Sequence, residues 1–192
     1  MPKSGTETRR AILAAASQIV QEEGVERLTL ELTAKKAGIS KGGLLYHFPN
    51  KEALIVEMVR DYLDRFSSDL AEAAASEAEG APGRWTRAYV ATTFEDHQRT
   101  PHMSSGMLAA IATAPALLTP LQKGFQDWME LLEKDGLDPM LTHIIRLATD
   151  GLWLVELFGL APPDSATKDR LLKSLQKLST RQSTEPASSD EP

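Results

Sequence analysis

Apolar residues recur every three or four positions along most of the chain, and glycines and prolines cut the pattern into segments. In residues 6–23, Ile12, Leu13, Ala16, Ile19 and Val20 share one helical face, and Gly24 ends the run. Residues 28–37 read as a short helix with Thr29 as N-cap and Leu30, Ala34 and Ala37 on one side. Gly38 turns the chain, Ser40 caps a second short helix whose first turn carries Gly42 and Gly43, and Pro49 stops it. A long helix is predicted over residues 51–78 from a cap at Asn50, with Leu54, Ile55, Met58, Val59, Tyr62, Leu63, Phe66 and Leu70 at helical spacing.

Gly80, Pro82 and Gly83 break that helix, and five more follow without any convincing strand. They are expected over residues 84–98, 104–114, 115–134 with Pro120 bending or restarting it, 139–158 and 165–178. Residues 179–192, rich in Ser, Thr, Glu and Pro, read as a disordered tail. The expected class is therefore all-α, with domains at 1–50 and 51–178, of which 51–79 forms a connecting helix. The segment 139–158 is apolar almost all round, from Leu141 to Phe158, so both its flanks are expected to be covered. One flank faces the interior and the other a second copy of the chain, with Leu171, Leu175 and Leu178 completing a four-helix packing about a two-fold axis.

Two short helices joined by a tight glycine-containing turn are the pattern of a helix-turn-helix, whose second helix enters the DNA major groove. Net charge of −6 argues against nucleic acid at first, but its distribution does not: residues 1–51 carry +3 and the remainder −9. A basic head on an acidic body keeps local attraction to phosphate and discourages coating of DNA by the body. Arg9 and Arg10 oppose the dipole of the first helix, a cost that makes sense beside a phosphate. The chain has no cysteine, so disulfide and thiolate chemistry are excluded. No apolar run is long enough to span a bilayer and the start lacks an apolar leader, which places the protein in the cytoplasm with no membrane partner.

The run L-T-L-E-L-T-A-K-K-A-G-I-S-K-G-G-L-L-Y-H-F-P-N-K-E-A-L, residues 28–54, resembles the DNA-binding domain of the TetR family of bacterial transcriptional regulators. The resemblance is specific over about residues 7–60; beyond them only the helical pattern and Asp150-Gly151-Leu152-Trp153-Leu154 look similar. It implies a homodimer with a three-helix N-terminal domain, a connecting fourth helix and a C-terminal domain that holds a ligand and the dimer interface. By the same resemblance Thr29 meets phosphate, Ser40 and Gly42 belong to the cap and turn, Lys41, Gly43 and Leu45 face base edges, and Tyr46, His47 and Lys51 meet the backbone. Gly43 stands where the family commonly has Thr and Leu45 where it has Tyr, so two hydroxyl contacts are missing. Lys41 is left to address guanine, and Leu45 to touch a thymine methyl. Thr33 replaces an aliphatic core residue, and its hydroxyl is expected to bond back to a helical carbonyl.

A regulator needs an effector cavity, and the second half supplies large, soft linings in Tyr62, Phe66, Trp85, Tyr89, Met103, Met107, Phe125, Trp128 and Trp153. Asp150, with Asp96 and Glu156, adds a preference for cations. The expected function is a homodimeric repressor released from a palindromic operator by a hydrophobic or aromatic small molecule. Glu95, Asp96, His97 and His102 resemble a metal cluster on paper, but Pro101 breaks the spacing; neither metal, cofactor nor enzymatic activity is expected. A ligand-independent DNA-binding scaffold is the alternative.

Overall fold

The computed structural model describes residues 4–99 and 118–180. Among them the chain is helical throughout: α1 (Gly5–Glu23), a 3-10 turn (Val25–Arg27), α2 (Leu30–Ala37), α3 (Lys41–His47), α4 (Lys51–Ala75), α5 (Arg84–Arg99), α6 (Leu118–Glu133), α7 (Pro139–Phe158) and α8 (Ser165–Leu178). The predicted helix over 104–114, the side chains of Asp96 and His97, His102, and residues 181–192 of the expected tail lie outside the described residues. The chain divides into two compact units, Met1–Ser68 with Glu95–Asp127 and Asp69–Phe94 with Trp128–Pro192.

The first unit is built on a shared core. Ile12, Leu13, Ala16, Ile19 and Val20 of α1 pack with Leu28, Ala34, Leu44, Phe48, Leu54 and Met58. α1 starts one residue before the expected point because Ser4 and Glu7 form a capping box: Glu7 N donates to Ser4 Oγ (3.2 Å) and Ser4 N to Glu7 Oε2 (2.8 Å). Arg9, read from sequence as a phosphate-facing cation, instead pairs with Glu57 of α4 and lies 5.5 Å from the Phe48 ring centroid. Glu57 also accepts from Arg60 at 2.6 Å, so one carboxylate gathers both cations. Lys36 of α2 reaches Glu22 of α1 at 2.5 Å, and that hydrogen bond pulls the Glu22 carboxyl below its usual range.

The second unit is tied by polar contacts as well as by Val90, Phe94, Ile145, Leu152 and Leu175. Asp135, buried, accepts from the amides of Trp85 (3.0 Å) and Thr86 (2.8 Å), capping α5 from about fifty residues away. Gly83 N donates to the Asp135 carbonyl at 2.8 Å. Arg87 pairs with Glu77, which lies lower in pKa than usual for that reason, and donates to the carbonyl of Ser179 at 2.7 Å. Ser179, the first residue of the expected tail, is fully buried. α7 opens with Asp138 as cap, its Oδ1 accepting from Leu141 N at 2.9 Å, and closes at Gly159 in the left-handed conformation. Its inward side carries Thr142, Ile145, Thr149 and Leu152, and the two threonine hydroxyls donate back to Asp138 O and Ile145 O. Its other side is open: Met140, Ile144, Leu147, Leu154 and Phe158 are exposed, Leu147 to 60%.

Gly83 and Gly42 should answer to the same substitution with opposite signs. Gly83 has φ +78, and a Cβ there would lie well inside contact distance of the Ser179 carbonyl oxygen, whereas a Cβ at Gly42 meets nothing within 4 Å. In urea denaturation Gly83→Ala should lose about 2 kcal/mol or more, and Gly42→Ala should gain up to about 1 kcal/mol from better helix propensity.

Candidate functional site

The turn between α2 and α3 is set by two glycine and hydroxyl devices. Gly38 takes φ +70 and its amide closes on the carbonyls of Ala34 and Lys35, ending α2. Ser40 then accepts from Gly43 N at 3.0 Å and starts α3. A Cβ on Gly43 would come within 3.2 Å of that Ser40 oxygen, so this glycine makes room for the cap. Thr29 caps α2 in the same way, its Oγ1 accepting from Leu32 N at 3.1 Å, and its carbonyl receives the buried Thr33 hydroxyl at 2.8 Å, the back-bond expected from sequence.

α3 is amphipathic over only seven residues. Leu44 and Phe48, flanking its last turn, are fully buried, while Lys41, Gly42, Leu45 and Tyr46 are exposed, Tyr46 to 87%. Burial of Leu44 and Phe48 contributes about 1.5–3 kcal/mol each, which is what holds a helix too short to persist alone. His47 differs from its neighbour: it is half-buried, meets the Tyr46 ring edge-on at 5.3 Å, and lies beside Gly5 at the start of α1. Lys51 is also half-buried, with Nζ 3.5 Å from the Val25 carbonyl. Lys41 Nζ lies 3.9 Å from Glu31 Oε2 on α2, a partner the sequence reading did not pick out. Beside them Glu26, Arg27, Thr29, Glu31, Leu32 and Lys35 line a groove of about 340 Å³.

The nine aromatic and methionine candidates and Asp150 are divided between the two units. Met103 and Met107 lie outside the described residues. In the first unit, Tyr62 and Phe66 stand one turn apart on α4 with ring centroids 6.4 Å apart, and Phe125 of α6 is half-buried. In the second, Tyr89 of α5 and Trp128 of α6 are buried with ring centroids 6.3 Å apart, while Trp85 and Trp153 are half-buried and the Arg84 guanidinium lies 5.3 Å from the Trp85 ring. Asp150 joins the Tyr89 group: the Tyr89 hydroxyl donates to Asp150 Oδ1 at 2.6 Å, and Arg146 Nε pairs with Asp150 Oδ2 at 3.0 Å. Burial, aided by Asp150, holds the Tyr89 hydroxyl well above its usual pKa, and burial likewise raises Asp150 against the opposing pull of Tyr89 and Arg146.

Two of the acids read as cation-attracting have internal partners. Asp150 is already neutralised by Arg146, and Glu156 by Lys168 at 2.8 Å, a lysine that also sits 5.5 Å from the Phe94 ring. The Arg146–Asp150 pair stands at i,i+4 on α7 and was readable as such; the Lys168–Glu156 pair, twelve residues apart, was not. Among the described residues no group of three or more His, Asp or Glu could hold a metal ion, and no helix is long and apolar enough to cross a membrane.

Residues 12–58 match the family described as bacterial regulatory proteins, tetR family, and residues 83–180 match tetracyclin repressor-like, C-terminal domain. The HTH-type transcriptional regulator RutR of Escherichia coli (strain K12) is 34% identical over 114 residues, 59% of this chain and 52% of RutR, so the chain spans about half the length of that relative. The HTH-type transcriptional repressor KstR2 of Rhodococcus jostii (strain RHA1) is 30% identical over 184 residues, covering 89% of this chain and 87% of KstR2. The crystal structure of the multidrug binding protein EbrR complexed with malachite green superposes with a TM-score of 0.66 at 23% identity, over 92% of this chain and 98% of EbrR, a likeness of fold.

The raised pKa of Asp150 has a measurable consequence. A folded-state pKa above the unfolded one makes the protonated form a source of stability that is complete below the ordinary aspartate range and lost as pH rises through the raised value. Asp150→Asn cannot ionise and lacks that loss. Its unfolding free energy relative to the wild type should therefore increase as pH goes from about 3.5 to about 6.5; a decrease over that window would contradict the assignment.

Proposed function

The chain belongs to the TetR family of bacterial transcriptional regulators, and on that premise we propose that it is a homodimeric repressor released from a palindromic operator by a small molecule. The observation that carries this reading is the two-sidedness of α3: Leu44 and Phe48 anchor it, and Lys41, Leu45 and Tyr46 are left facing outward. In this reading Lys41 donates to guanine O6 or N7 and Leu45 packs on a thymine methyl. Thr29, Tyr46 and Lys51 contact phosphates, with the amides at Ser40, Gly42 and Gly43 close enough to the DNA for their lack of bulk to matter. His47, half-buried beside Gly5, orients Tyr46 and touches the backbone from the edge of the interface. Because these groups act on DNA, the protein works in the cytoplasm.

The homodimer rests on the open side of α7. Met140, Ile144, Leu147, Leu154 and Phe158, with Leu171 of α8, form an apolar stripe at helical spacing that a single chain leaves in water. Covering it with the same stripe of a second copy satisfies a two-fold interface and sets the two recognition helices into successive major grooves, about 34–36 Å apart. The KstR2 name, a repressor, supports the sign of regulation.

The effector is hydrophobic or aromatic, and the Tyr89–Trp128 pair with Asp150 is the part of the candidate lining that already stands together. A cationic ligand binds there by taking the place of Arg146 at Asp150. EbrR with malachite green, an aromatic cation, supports this class of ligand. Release requires that the ligand prefer a dimer whose recognition helices are wrongly spaced; equal affinity for both forms would move nothing.

Two outcomes test this. Leu147→Asp should shift sedimentation equilibrium towards monomer and weaken binding to a palindromic duplex by ten-fold or more, on the order of the 1.4 kcal/mol that each ten-fold represents, with helical content unchanged. Malachite green should lower the fluorescence anisotropy of a labelled duplex held by the wild type. Binding unmoved by a panel of aromatic ligands would favour a ligand-independent scaffold.

A further inference from the structure

Glu31, in the first turn of α2, and Lys41, which opens α3, face each other across the turn with Nζ 3.9 Å from Oε2. Their side chains are 83% and 62% exposed, and an ion pair so open to water adds next to nothing to stability. The ion pair itself therefore gives the fold little, and the modest benefit of an acid in the first turn of α2 explains a carboxylate there but not its facing Lys41. Nor does general attraction to DNA explain it, since a negative charge beside the outward-facing lysine repels phosphate.

What a carboxylate can do, and a lysine cannot, is accept. In the major groove guanine presents O6 and N7 as acceptors, and its partner cytosine presents the N4 amino group as a donor. O6 and N4 are the two ends of one base-pair hydrogen bond and lie about 2.9 Å apart. An ammonium and a carboxylate held side by side at 3.9 Å present the complementary pattern at a separation about 1 Å wider, which two long exposed side chains can adjust.

We infer that Lys41 and Glu31 read a single G·C base pair as one unit, Lys41 donating to guanine O6 and N7 and Glu31 accepting from cytosine N4. The inference rests on the helix-turn-helix being the DNA-binding surface. Glu31 supplies a discrimination that lysine alone lacks. Lysine can donate to adenine N7 as well as to guanine, but with adenine in guanine's place the carboxylate meets thymine O4, acceptor against acceptor. With the pair inverted, lysine meets the cytosine amino group, donor against donor. Guanine over cytosine is favoured, thymine over adenine is second, and adenine over thymine is rejected by Glu31.

The test is selection of duplexes from a randomised pool by the full-length wild type, Glu31→Ala and Lys41→Ala, followed by sequencing; circular dichroism checks that all three fold. Wild type should enrich guanine and exclude adenine at one position of each half-site. Glu31→Ala should retain both purines there, with the guanine-to-adenine ratio reduced by roughly ten-fold, and Lys41→Ala should lose preference at that same position. An unchanged ratio in Glu31→Ala, with tighter binding to all duplexes alike, would overturn the inference and leave Glu31 a bystander charge. Changes at different positions in the two variants would overturn it too. If the wild type enriched no motif, the DNA-binding reading itself would fall.

Discussion

A recognition helix of seven residues cannot hold itself together, because its few hydrogen bonds do not offset the entropy of nucleating a helix in water. The first unit is arranged around that constraint. Leu44 and Phe48 give α3 two anchors in the core formed by α1, α2 and the start of α4, and Ser40 supplies the cap that the first turn needs. With its inner side fixed in this way, the outer side, with Lys41, Leu45 and Tyr46, is left exposed for the proposed contact with DNA. The ion pairs Arg9–Glu57 and Lys36–Glu22 then bind α1 to α4 and α2 to α1. Arg9, which as a bare cation near a helix start looked ready for phosphate, serves this internal purpose.

The second unit depends on a different economy of contacts. The N-terminus of α5 is capped by Asp135, and Arg87 gathers Glu77 and the end of α8, so three distant chain segments meet around Gly83. Asp150, Tyr89 and Arg146 form a second polar group in which burial and charge pairing oppose each other. A half-buried carboxylate held by one tyrosine and one arginine is a place where an incoming cation can take over the ion pair, the partly exposed Arg146 guanidinium being left to water. That property links the packing of α5 and α7 to the proposed response to a ligand.

Much of this was legible in the residues. The helix boundaries followed from hydrophobic spacing and from caps at Thr29, Ser40 and Asn50, since such signals are local. The Thr33 back-bond was legible for the same reason. The Asp135 cap and the Arg9–Glu57 pair were not, because each joins residues about fifty positions apart and no spacing rule reaches that far. Glu31 went unnoticed as one acid in a charged helix; only the folded turn brings it to Lys41. On α7 the reverse holds: the sequence shows an apolar surface nearly all round, and the fold shows which side, from Met140 to Phe158, a single chain leaves open.

The proposed dimer requires that two copies of α3 enter DNA together. Hydroxyl-radical footprinting on a duplex recovered from a randomised pool tests it most directly. Two protected patches related by two-fold symmetry should appear, with centres separated by one helical turn, about 34–36 Å, or a whole multiple of it. A single patch, or protection spread evenly along the duplex, would contradict it.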